Sequence, residues 1–215
     1  MACLPADLTV IVTTSASPIH PDTSMTAAVL KSLARCCPAA LPCRKIVVCD
    51  GHPPPRDDRK AAYKRGRITA AKAEAYAEYQ NRLAAHVAAG AGCWQNAALL
   101  RLEGRHGFGF AVRAALAQVR TEFVLVIQHD RNFNRPVDLG HVMGLMREHG
   151  ERAVGYAGLL TGRTMGYPKY IKDRYNLDLL PLVRAGGELV PLLFFFDSTQ
   201  VLAAPSAVGE ARPCA

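Results

Sequence analysis

No apolar run in this chain approaches the roughly 20 residues that cross a bilayer as a helix. The start, MACLPADLTVIVTTS, has no basic leader, and its apolar stretch reaches only from Leu8 to Val12. It reads as a first strand and not as a signal peptide, so a reducing, cytoplasmic setting is the expectation. The zinc spacing CxxC is missing as well. Cys3, Cys36, Cys37, Cys43, Cys49, Cys93 and Cys214 are an odd number without paired spacing, and are expected to be small, mostly buried apolar residues. Three catalytic signatures are absent: GxxxxGK[ST] for a phosphate loop, HExxH for a zinc hydrolase, and GxSxG for a nucleophile elbow.

What remains is a chain of 215 residues, 50% of them hydrophobic, enough to bury one sizeable core. The expectation is one domain spanning 1–215, with a loose tail over about 205–215 where Pro205, Gly209 and Pro213 fall. The net charge is +8, and it is unevenly spread. Arg56, Arg59, Lys60, Lys64, Arg65, Arg67 and Lys72 stand against Asp57 and Asp58, so that segment alone carries +5. Such a stretch attracts phosphates or acidic surfaces, or it is a solvated loop. Nucleic acid is not the expected partner, because only Tyr63 interleaves the charges and no stacking platform is visible.

Along the chain, short apolar runs alternate with helical periodicity. Leu8 to Thr13, Lys45 to Cys49, Ala97 to Leu102, Glu122 to Ile127 and Ala153 to Leu160 read as strands. Met25 to Cys36, about Ile68 to Ala89, roughly Phe110 to Val119, and Val137 to Glu148 read as helices. In the longest of these, Tyr76, Tyr79, Leu83 and Val87 form one buried stripe, and Glu78 pairs with Arg82. Residues 161–175, rich in Gly, Pro and aromatics, read as a loop. Leu189 to Phe196 resumes the sheet, with Pro191 marking an edge or a bulge. This alternation predicts an α/β fold with a mixed, mostly parallel sheet and helices on both faces.

In open α/β sheets, ligands bind beyond the carboxyl ends of the strands. Polar clusters follow the apolar runs at Thr13-Thr14-Ser15, Asp50-Gly51, Arg105-His106-Gly107, Gln128-His129-Asp130 and Asp197-Ser198-Thr199. Asp130, at the end of a buried strand, is placed to hold Mg²⁺ or Mn²⁺ together with a substrate diphosphate, or else it initiates a turn. His129 is a second ligand or packs on the strand. Asp50 accepts from a nucleobase or ribose, with Gly51 allowing close approach, or the pair is only a turn. Gly107-Phe108-Gly109 resembles a dinucleotide fingerprint but has Val112 at the third glycine position.

In that order, LTVIVTTSASP, KIVVCDG, HGFGFAVRAAL and FVLVIQHDRNF resemble the nucleotide-binding half of GT-A (Rossmann-like) glycosyltransferases, especially the family-two type. The chain also looks like the small glycosyltransferase domain of chlorella-virus capsid glycosylation proteins. The resemblance covers roughly residues 8–136. It implies that Thr13, Thr14, Ser15, Asp50, Gly51, Arg105, Gly107, Phe108, Gly109, Gln128 and His129 lie at the nucleotide. It implies that Asp130 binds the metal bridging the diphosphate. Cys49 and Gln128 depart from the family pattern, standing where many relatives have acidic residues, so the metal would rest on Asp130 with help from water or Gln128.

The activity so implied is transfer of a sugar from a nucleotide sugar, UDP-linked by preference, to a glycan or protein-linked acceptor hydroxyl with inversion. Asp197 is the candidate base, with Asp173 in reserve. Tyr167, Lys169, Tyr170 and Tyr175 are candidate acceptor contacts. Two alternatives differ in class. One is a nucleotidyltransferase, which would carry a Gly- and Lys-rich loop where TTSASPIHP stands. The other is a binding module that keeps the pocket without catalysis.

Overall fold

The structure is a computed structural model, and it describes residues 4–58, 60, 62–63, 67–149, 154–159, 166–180, 182–184, 187–192 and 199–204. Asp197, Cys3, Cys214 and the tail expected over 205–215 lie outside the described residues.

A four-residue helix α1 (Leu4–Asp7) leads into β1 (Leu8–Thr14), every residue of which is buried. Next come α2 (Ser24–Cys36), β2 (Arg44–Cys49), α3 (Ala70–Ala89), β3 (Ala97–Arg101), α4 (Phe108–Leu116) and β4 (Phe123–Gln128). After them lie α5 (Leu139–His149), β5 (Tyr156–Gly158), α6 (Tyr167–Tyr175), β6 (Leu182–Arg184), β7 (Gly187–Leu189) and β8 (Gln200–Ala203). The main sheet runs β3-β2-β1-β4-β8-β5. Its first four strands are parallel, and β8 is antiparallel to both β4 and β5. The expected mixed, mostly parallel sheet is therefore present.

Side chains on a strand alternate between faces, and the two faces have different covers. Leu8, Val10 and Val12 of β1 join Leu125 and Ile127 of β4 beneath α2, α3 and α5, through Leu30, Leu33, Tyr76, Leu83 and Met143. Ile11, Ile46, Val48, Val124 and Val126 face the other way, onto Ala111, Val112 and Ala115 of α4. Strands buried on both sides need near-continuous apolar runs, which is why β1, β2 and β4 were legible. The stripe on α3 is also as expected, with Tyr76, Tyr79 and Leu83 buried and Glu78 2.8 Å from Arg82. Cys36, Cys37, Cys43 and Cys49 are buried thiols outside any disulfide, and Cys93 is a half-buried one.

At the amino end of β2, Lys45 is 1% exposed and its ammonium donates to the carbonyls of Leu41, Cys43 and Gln95 at 2.5–3.1 Å. Three acceptors make the burial of that charge tolerable, and burial still holds its pKa below the usual lysine value. The clamp lies at the opposite end of the sheet from the strand termini that form the cleft.

Two expectations need correction. The region 161–175 contains α6 rather than only a loop. Pro168 sits in the first turn, where its missing N–H costs nothing, and Tyr167 and Ile171 form a buried i,i+4 pair. Asn176 closes the helix in the left-handed region at φ 53°. The strand expected over 189–196 is also different. Residues 187–189 pair with β6 in a separate two-stranded sheet, residues 190–192 are not in a strand, and 193–196 lie outside the described residues. The strand that does complete the main sheet is β8, whose four residues were too few to stand out.

Candidate functional site

The chain moves from β1 outward through β2 to β3, then returns to pair β4 on the other side of β1. Neighbouring connections leave β1 and β4 in opposite directions, which opens a crevice at their carboxyl ends. A cleft of about 510 Å³ occupies that position. Eleven of the residues singled out in the sequence line it: Thr13, Thr14, Ser15, Asp50, Gly51, Arg105, Gly107, Phe108, Gln128, His129 and Asp130. Gly109 does not line it, being already inside the first turn of α4. Ala16, His52, Tyr63, Ile68 and Ala111 line it unanticipated.

Asp50 is 6% exposed, and each of its carboxylate oxygens accepts a backbone amide. Oδ1 receives the N–H of His106 at 2.7 Å and Oδ2 that of Gly107 at 2.9 Å. The acid at the end of β2 thus holds the turn that starts α4, in addition to facing the cleft. Gly107 has φ 78° and ψ 167°, a conformation essentially restricted to glycine. Its reason is the backbone turn and not a dinucleotide.

Gly51 has an equally local reason. A Cβ there would lie 2.5 Å from the carbonyl oxygen of Gly104 and 2.6 Å from that of Leu102. The close approach is to the chain itself. Gly51→Ala is therefore expected to destabilise the fold by about 3 kcal/mol through overpacking against backbone that cannot rotate away. Thermal or urea unfolding of the variant measures this; an unchanged midpoint would show that residues 102–104 move freely.

The β1 hydroxyls are engaged by the fold. Thr13 Oγ1 donates to the Ile127 carbonyl at 3.4 Å, and Thr14 Oγ1 lies 2.9 Å from the Tyr79 hydroxyl, which also meets Thr26 at 2.7 Å. Tyr76 donates to the Asp50 carbonyl at 2.7 Å. Burial pushes the Tyr79 phenol up to about 12 and the Cys49 thiol likewise to about 12. Helix α3 thereby anchors the ends of both β1 and β2.

His20, which sequence reading passed over, completes this layer. It is 6% exposed, and its ring lies 3.9 Å from that of Tyr79. Nε2 is 3.1 Å from the Ser15 carbonyl oxygen, which can only accept, so Nε2 carries the proton. Nδ1 is buried with no partner among the described residues. Burial, the largest cause, lowers the pKa of His20 from 6.5, and that of His129 in the same way. The unfolded chain then takes up a proton near pH 6.5 that the fold resists. Stability is complete above that pH and declines as pH falls from about 6.5 toward the lowered folded value. Urea midpoints are expected to drop between pH 7.5 and 5.5, and His20→Gln is expected to shrink that drop. An equal drop in the variant would remove His20 as its source.

Asp130 carries a half-exposed carboxylate in a long ion pair with Arg131 Nε at 4.0 Å. His129 N–H bonds the Thr13 carbonyl at 2.9 Å, extending the β1–β4 ladder to the cleft floor. Among the described residues, no three His, Cys, Asp or Glu side chains converge as a metal cage. Asp173 lies outside the cleft on α6, paired with Lys169 at 2.7 Å. Tyr167 is buried, whereas Tyr170 and Tyr175 are exposed and meet edge to face at 6.4 Å. No described helix is long and apolar enough to cross a membrane.

No family model matches the chain, and no curated protein does. Solved structures with a similar layout include TarS 1–349 of S. aureus in complex with UDP-GlcNAc (22% identity over 66% of this chain, TM-score 0.38). A second is the mannosyltransferase PcManGT of Pyrobaculum calidifontis with GDP-Man and Mn²⁺ (13%, 74% of this chain and 37% of that one, TM-score 0.41). A third is CMP:2-keto-3-deoxy-manno-octonic acid synthetase with CTP (14%, 93% and 75%, TM-score 0.47). The chain spans 20, 32 and 47% of three TarS chains.

Proposed function

We propose that the chain binds a nucleotide diphosphate sugar in the β1–β4 cleft, as one nucleotide-sugar-binding unit, and transfers the sugar to a hydroxyl of a glycan or protein-linked acceptor. One observation carries this reading. Residues from four separate stretches that resemble GT-A glycosyltransferases of the family-two type line a single crevice at the sheet's switch point. The resemblance to chlorella-virus capsid glycosylation domains belongs to the same reading, as do the preference for UDP and the inverting course.

The donor set around Asp130 suits a cation that arrives with its ligand. One carboxylate, with the Gln128 amide and the His129 ring next to it in sequence, is too few donors for a resident ion. It is enough for Mg²⁺ or Mn²⁺ that takes its other ligands from a diphosphate and water. Bound there, such an ion would neutralise charge on the departing diphosphate. The chain's own part is to seat the nucleotide between the ends of β1 and β2 and the Asp50-held turn. The acceptor oxygen forms its bond to the anomeric carbon as the bond to the diphosphate breaks, and its proton passes to a carboxylate. Asp197, outside the described residues, is the proposed base.

A second reading, a binding module without turnover, is favoured by the sparse metal donors among the described residues. The test is calorimetric titration with UDP, GDP and their sugar conjugates, with and without Mn²⁺, followed by an assay for donor hydrolysis. Binding with hydrolysis supports the transferase, binding without hydrolysis the module, and no binding removes both.

A further inference from the structure

Two residues of the basic stretch, Tyr63 and Ile68, line the cleft. The stretch is tied at its base where Arg56 N–H bonds the Ile68 carbonyl at 2.9 Å and the Asp57 carboxylate accepts the Ala70 N–H at 2.9 Å. It closes on itself through the antiparallel bridge between Ala62 and Arg67. Arg67 Nε also donates to the Lys60 carbonyl at 3.1 Å. These ties direct Tyr63 and Ile68 to the cleft, while the charged Arg56 and Lys60 stay exposed.

Tyr63 brings a phenol whose oxygen is buried and has no hydrogen-bond partner among the described residues. Leaving a buried hydroxyl unsatisfied is costly, and such groups in a folded chain call for a specific explanation. Burial raises its pKa, so the group remains an O–H donor through neutral pH. Both Asp50 oxygens already accept amides, and one Asp57 oxygen accepts the Ala70 amide. Arg56, Lys60 and Arg67 bias the same segment toward anions.

We infer that Tyr63 is a positioning residue for the donor, its hydroxyl donating to a phosphate oxygen of the bound nucleotide diphosphate. Tyr63 and Ile68 then belong to the phosphate-facing wall of the cleft. This inference rests on the nucleotide-sugar reading above. It differs from a packing role in one respect: the hydroxyl contributes nothing to the ligand-free fold.

Tyr63→Phe separates the two. UDP, GDP, uridine and guanosine are titrated into wild type and variant, and thermal midpoints are recorded without ligand. The expected result is affinity for the diphosphate weakened about tenfold or more, unchanged affinity for the matching nucleoside, and an unchanged or higher midpoint. A lower midpoint with unchanged affinity makes the hydroxyl structural and overturns the inference. Equal losses for nucleoside and diphosphate place it at base or ribose and also overturn it. Undiminished diphosphate binding by the variant ends the inference while leaving nucleotide binding intact. Failure of wild type to bind any of the four removes both proposals.

Discussion

Asp50→Ala is expected to lower folding stability by about 3 kcal/mol, because it strands the His106 and Gly107 amides that the carboxylate now receives. Those amides belong to the turn that carries Arg105 and begins α4. The loss should therefore reach the cleft, weakening nucleotide binding together with stability. Asp50→Asn, which keeps one carbonyl acceptor and turns the other position into a donor, is expected to fall between. Urea unfolding followed by nucleotide titration orders the three proteins. If Asp50→Ala loses binding while its unfolding midpoint stays at the wild-type value, the carboxylate acts on the ligand and not on the turn.

Asp130→Ala should behave in the opposite way. Its side chain is half exposed and its ion pair with Arg131 is long, so stability should change by no more than about 0.5 kcal/mol. What should disappear is the gain in nucleotide affinity on adding Mn²⁺, and with it about 10²-fold or more of transfer rate. Titrations of wild type and variant with and without Mn²⁺ read the first effect, and product formation reads the second. A Mn²⁺ effect that survives in the variant would move the cation to other donors.

The two aspartates illustrate what the sequence made legible. Each follows an apolar strand, and the rule that ligands gather at strand ends put both at the cleft. The rule is silent on what a carboxylate does there. Asp50 is bound by amides from residues 106 and 107, a contact across more than fifty positions that no local pattern encodes. His20 was invisible for a similar reason, since its ring is defined by Tyr76 and Tyr79 of a helix far along the chain. Tyr63 left only a faint signal, a lone aromatic in a basic stretch, and its place in the cleft wall depends on contacts that no local pattern encodes. In α6, Gly and aromatics suggested a loop, and the i,i+4 pairing of Tyr167 with Ile171 outweighed them. Strands β1, β2 and β4 needed no such help, because burial on both faces demands continuous apolar runs.

The place of β8 has a consequence for how the chain is made. Strand β4, with five of its six residues buried, pairs β1 on one side and β8 on the other. During synthesis, β1 to β4 can dock as soon as residue 128 has emerged. The far edge of β4 stays uncovered until residue 200 follows, and β5 cannot substitute, since it pairs with β8 and not with β4. For that interval a nascent chain presents the open edge of FVLVIQ to its neighbours. Edges of this kind recruit other chains or chaperones. A chain ended between those two points would carry a sheet that is paired on one side of β4 and adhesive on the other.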